Sequence, residues 1–212
     1  CMTKRQDMKK KFIITIDTEG DNLWEYTLNE KIGTKNVAYL PRFQKLCNQY
    51  GYKPVYLSNY EMINSDKFLY FITTEAEQGN CEIGMHLHAW NTPPEYVLPT
   101  RQNRAGLPYL IEYPKEVMEE KISTMTELIY QRTGVRPVSH RAGRWAMNQS
   151  YFDILINQGY TVDCSMTPYI NWASSKGYTQ GSEGSDYSKV IREPNYIYQS
   201  NSNARILEVP VT

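Results

Sequence analysis

Glu82-Ile83-Gly84-Met85-His86-Leu87-His88 reads as a strand that ends in two histidines. On a strand, residues two apart point the same way with Cα atoms roughly 6.5–7 Å apart. His86 and His88 can therefore aim both imidazoles at one ion. Upstream, Phe12-Ile13-Ile14-Thr15-Ile16 is a β-branched apolar run, long enough for a buried strand and too short for a helix. It gives way abruptly to Asp17-Thr18-Glu19-Gly20-Asp21, where Asp17 and Glu19 share a face for the same reason of spacing.

Between and beyond these two runs, helix and strand alternate. The spacing of Leu40, Phe43 and Leu46-Cys47 predicts a helix over 37–50, stopped by Gly51. Pro54 to Ser58 reads as a strand, and Phe68 to Gln78 as a helical region closed by Gly79. A polar, Pro-rich loop then runs to Pro114, which suits the first position of a long helix. Met118, Ile122, Met125 and Ile129 line one face of that helix, and Gly134 ends it. Val138–Arg141 is a further strand. Asn148 is an N-cap for a helix with Phe152, Leu155 and Ile156 inward, and Thr161–Ser165 and Ile206–Val211 complete the strands. The stretch from Thr167 to Ala204 is rich in Ser, Gly, Asn and Tyr, and reads as a loop carrying a short hairpin. Such alternation implies an α/β fold with parallel strands and crossover helices. No Gly-x-Gly-x-x-Gly or phosphate-loop pattern follows any strand, so an open nucleotide-binding sheet is disfavoured against a small or irregular barrel.

Composition excludes several functions. Of 212 residues, 41% are hydrophobic, enough for a core without staples, and nothing reads as a linker, so residues 1–212 are expected to form one domain. Lys plus Arg and Asp plus Glu are 23 each, a balance that argues against a nucleic-acid partner. The basic stretch Lys4–Lys11 is read as a solvated leader to the first strand. No run approaches the about 20 apolar residues of a membrane helix. Met2-Thr3-Lys4-Arg5 suits a native start, which favours the cytoplasm, although a removed leader would escape notice. Cys1, Cys47, Cys81 and Cys164 are scattered, and Cys47 and Cys81 are read as small buried hydrophobes. The 18 Tyr and 4 Trp suit a half-wet, sugar-binding surface without requiring one.

In barrels the reacting groups project from the C-terminal ends of strands. Asp17 and Glu19, His86 and His88, and His140-Arg141 all stand there, and these are the chain's three histidines. Imidazole plus carboxylate suits zinc and neighbouring divalent ions, and three protein ligands leave a position open. Arg141 could fork onto a strand-end carboxylate and orient it, or form a plain structural ion pair. Trp90 and Trp145 follow the histidine and arginine strands by two and four residues. They are expected on loops at the rim, stacking on sugar or plugging the barrel mouth, and Arg144 is grouped with them as a substrate-binding candidate.

These segments together resemble the polysaccharide deacetylases, the NodB-like carbohydrate esterases. Thr15-Ile16-Asp17-Thr18-Glu19-Gly20 is similar to the family's TFDDG motif, and Glu82–His88 to its metal-histidine strand. Ser139-His140-Arg141-Ala142-Gly143-Arg144-Trp145 is similar to the Arg-x-Pro-Tyr segment, and Gly159–Ser165 to the strand carrying Asp-x-x-Ser. The resemblance implies a distorted (β/α) barrel that removes acetyl groups from N-acetylated sugars with a divalent metal. Zinc is the first choice, with cobalt, nickel or manganese as alternatives. It implies Asp17 as general base, Glu19, His86 and His88 as metal ligands, and Arg141 as tether of the base. Thr18 stands where the family has a second Asp, leaving Glu19 or Asp21 as acidic ligand. Trp90 stands where the second histidine would fall. Leu207-Glu208-Val209 occupies the place of Leu-x-His, so His140 is the one histidine left as general acid, unless the acid lies beyond Thr212. Two other classes compete with a sugar deacetylase: an inactive carbohydrate-binding barrel, and a hydrolase of a non-sugar C–N bond.

Overall fold

The computed structural model describes residues 11–24, 32–96 and 106–212. The expected leader up to Lys10, and residues 97–105 of the loop before Pro114, lie outside them. Seven strands form one sheet in the order β1-β2-β3-β4-β5-β7-β6. They are β1 (Thr15–Thr18), β2 (Val55–Ser58), β3 (Glu82–Leu87), β4 (Ser139–Ala142), β5 (Val162–Asp163), β6 (Asn195–Tyr198) and β7 (Arg205–Glu208). All neighbours are parallel except β6 and β7. The α/β architecture is the expected one, with β1 and β6 as the two edges of the sheet among the described residues.

Local signals place the crossovers. Helix α1 (Leu40–Tyr50) follows a 3-10 turn at Lys35–Tyr39 and ends on Gly51, whose φ of 72° is the left-handed value that a side chain resists. The expected helical region after β2 divides into α2 (Tyr60–Ile63), capped by the Asn59 side chain, and α3 (Asp66–Glu77). Helix α4 (Lys115–Thr133) is entered from Pro114 and buries Met118, Ile122, Met125 and Ile129 against the sheet. Helix α5 (Gln149–Asn157) is capped as expected, the Asn148 side chain accepting the Tyr151 N–H at 2.9 Å. Its buried face is Tyr151, Phe152, Ile154 and Leu155, and Ile156, half-buried, packs against the same core. The long stretch after β5 does hold a small antiparallel pairing, Asn171 with Asp186 and Lys176 with Glu183. It also supplies β6, a strand not foreseen. Tyr196 and Tyr198 face water there while Ile197 packs on the core, the alternation of a half-wet edge.

The strand register decides which residues can meet. Asp17 pairs with Leu57, Leu57 with Gly84, and His86 with Arg141, so one face of the sheet carries Asp17, His86 and Arg141. The opposite face carries Tyr56, Ile83, Met85, His140 and Asp163 in register. Tyr56, Ile83 and Met85 belong to the core that Phe68, Phe71 and the inner face of α4 complete. His140 therefore stands on the helix side, and Arg141, its neighbour in the chain, on the other.

Candidate metal centre and active site

At the C-terminal end of β3 both histidines converge on one carboxylate. Glu19 Oε1 lies 2.8 Å from His86 Nε2 and 3.0 Å from His88 Nε2. These three donor atoms all lie within 4.8 Å of one another. His86 Nδ1 donates to the Arg141 carbonyl at 2.9 Å, which leaves Nε2 with its lone pair facing a carboxylate oxygen. Two acceptors so close repel unless a cation or a proton lies between them, so this donor set fits a divalent metal. Burial alone would raise the Glu19 carboxyl, but the two histidines outweigh it and hold the group well below the usual carboxylate range. His86 is likewise buried, yet its Glu19 contact raises its pKa, whereas burial lowers His88 to about 4. Asp21, the alternative acidic ligand, is occupied elsewhere: its oxygens accept the Lys35 and Asn36 N–H groups at 2.6 and 2.8 Å.

Backbone packing seats each ligand. A β-carbon on Gly143 would lie 2.5 Å from the Leu87 carbonyl oxygen and 2.7 Å from His88 Nδ1, so only glycine lets the turn that follows β4 pass close to that ring. Glu61, which sequence reasoning passed over, ties three loops together. It accepts the Gly20 N–H at 3.2 Å, Asn59 Nδ2 at 2.5 Å and Asn91 Nδ2 at 2.6 Å, joining the ends of β1, β2 and β3. Burial raises its carboxyl, and nothing in its helix α2 marked it as more than a solvated first-turn acid.

Beside the ligand set, Arg141 holds Asp17. Nη1 donates to Asp17 Oδ1 at 2.6 Å, Nη2 to Thr15 Oγ1 at 2.5 Å and Nε to the Cys164 carbonyl at 2.7 Å. The guanidinium is almost wholly buried, while a quarter of the Asp17 side chain remains open to solvent. Trp145 lies with its ring 5.0 Å from the Arg141 guanidinium carbon, covering it. Trp90 stands over His88 at 4.4 Å between ring centroids, and Trp24, also unforeseen, meets His88 edge-on at 5.5 Å. Arg144 lies over the Trp24 and Tyr109 rings.

His140, the expected general acid, is elsewhere. Its Nδ1 is 2.6 Å from Asp163 Oδ1, its Nε2 is 2.8 Å from the Tyr151 hydroxyl, and its side chain has no exposure. Burial keeps the ring neutral, with its pKa below the ordinary value. Because side chains alternate along a strand, His140 cannot share the face of Arg141. Nearby, Glu208 accepts the Met166 N–H at 3.0 Å, and burial together with the Asp163 charge pushes its carboxyl up to about 11.

The fold is the one seen in solved structures of polysaccharide deacetylases. It superimposes on a protein assigned as a polysaccharide deacetylase from Mycobacterium smegmatis with a TM-score of 0.61. Identity there is 16%, over 94% of this chain and 58% of that one. The BpsB deacetylase domain from Bordetella bronchiseptica gives a TM-score of 0.54 and 11% identity, over 94% of this chain and 69% of that one. The chain thus spans little more than half the length of the first of these, and the likeness is one of fold. No family model matches the sequence, and neither does any curated protein. Among the described residues no helix is long and apolar enough to cross a membrane.

Proposed function

We propose that this chain is a metal-dependent hydrolase that removes acetyl groups from an N-acetylated sugar or glycan. The observation that carries the reading is the convergence of Glu19, His86 and His88 beside an Arg141-held Asp17 on one face of the sheet. Glu19, His86 and His88 would hold the ion, zinc being favoured by two imidazoles and one carboxylate. A bound divalent ion would polarise the acyl carbonyl and acidify water at neutral pH. Asp17 then accepts the proton of the attacking water. Arg141, fixed at three points, orients the Asp17 carboxylate and keeps it from turning toward the ligand set. Trp90 and Trp24 offer indole faces against which the apolar side of a sugar ring can stack. Trp145 covers the arginine rather than the opening.

One observation favours a second reading, a carbohydrate-binding barrel without turnover. Val209 stands two residues after Leu207, and the three histidines are consumed by the ligand set and by the buried Asp163 pair. Within residues 1–212 no histidine is left to protonate a leaving amine. Acetate release from chitin oligosaccharides by zinc-loaded protein decides between the two. Turnover that stops on chelation and returns with zinc supports the deacetylase. Sugar binding without acetate release under any divalent metal supports the inactive barrel.

A further inference from the structure

Arg144 occupies a turn that the chain adopts only under constraint. Its φ is 56° and that of Trp145 is 61°, two successive non-glycine residues in the left-handed region. Such a conformation persists only where surrounding contacts fix it. Gly143 is wedged beneath His88, the Trp145 carbonyl accepts the Tyr187 hydroxyl, and the Met147 N–H donates to Ser185 Oγ at 3.1 Å. These anchors hold the guanidinium over two rings, 5.7 Å from Trp24 and 5.1 Å from Tyr109. Trp24 in turn touches His88, so one indole separates Arg144 from the ligand set. Stacked on aromatic faces, a guanidinium keeps its N–H groups around its edge for a planar anion. The other charges of the site are matched: Asp17 to Arg141, and Glu19 to the histidines. Arg144 alone among these groups has no acidic partner among the described residues.

Resting on the deacetylase reading, we infer that Arg144 receives an anionic group of the substrate. The acylated sugar this site takes thus carries a carboxylate or a phosphate. Charge-assisted contact of this kind is worth about tenfold or more in affinity.

Calorimetric titration of zinc-loaded protein, carrying Asp17→Asn to block turnover, tests this with three ligands: neutral N-acetylglucosamine, the carboxylate N-acetylmuramic acid and N-acetylglucosamine 6-phosphate. At least one acidic sugar should bind about tenfold more tightly than the neutral one, and which one identifies the anion. Arg144→Gln should erase that margin while neutral-sugar affinity holds, and Arg144→Lys should keep part of it. Equal affinity for all three overturns the inference and leaves the deacetylase reading standing. Equal weakening of all three by Arg144→Gln makes the residue a packing element and also overturns it. If no sugar binds although zinc does, both readings fall.

Discussion

Replacing Gly143 by alanine tests how tightly the ligand set is held. The added β-carbon would lie 2.5 Å from the Leu87 carbonyl oxygen, 2.7 Å from His88 Nδ1 and 3.0 Å from His88 Cα. Comfortable contact lies near 3.5 Å, so the end of β3 must retreat by roughly 0.7–1 Å. Overpacking of this kind costs about 1–3 kcal/mol of stability, which is a fall in Tm of roughly 2–10 °C for a chain of this length. Metal sites tolerate only about ±0.2 Å in ligand distance, so displacing His88 should weaken zinc binding by tenfold or more. Competition against a chelator measures the affinity, and thermal melting of the metal-free protein measures the strain. Gly134→Ala is the control. Its φ of 74° costs some stability, but nothing lies within 4 Å of the new carbon, so zinc affinity should not move. Unchanged zinc affinity in Gly143→Ala would refute the view that the turn after β4 seats His88.

Glu208→Gln should stabilise the protein increasingly with pH. The folded Glu208 keeps its proton toward about 11, whereas the unfolded carboxyl releases it above pH 4.5, so folded stability falls as pH rises through that window. An amide has no proton to hold, and the Tm gain over wild type should be several degrees larger at pH 9 than at pH 5. A pH-independent difference would mean that Glu208 is ionised in the fold. Trp90→Ala should weaken oligosaccharide binding with zinc content unchanged, and a large loss of Tm with intact affinity would instead make the indole a packing element. Glu61→Ala unties the loops after β1, β2 and β3, so it should weaken zinc binding and lower the Tm together; zinc affinity at the wild-type level would show that Glu19 is held without it.

The apolar runs, the glycine stops and the Asn148 cap were legible in the sequence because each signal is local. So was the convergence of His86 and His88, since spacing of two on a strand leaves no choice of face. The same parity speaks against His140 beside Arg141: adjacent strand residues diverge, and one belongs to the core. Trp24, Tyr109 and Glu61 were not legible. They come from loops and a one-turn helix, where no periodicity states a direction and only the fold brings them to the strand ends. Strand β6 escaped because its outward tyrosines and polar surroundings read as loop, and its pairing with β7 is a tertiary fact. The choice of Glu19 over Asp21 needed the 3-10 turn that Asp21 caps.

Zinc stoichiometry and acetate release, measured side by side on Asp17→Asn and His88→Ala, test the division of labour directly. Asp17→Asn should retain one equivalent of zinc and lose at least a hundredfold in turnover, because the amide keeps the shape without accepting a proton. His88→Ala should lose the zinc and the activity together. A His88→Ala protein that keeps a full equivalent of metal, or an Asp17→Asn protein that keeps full turnover, would contradict the assignment of ligand and base.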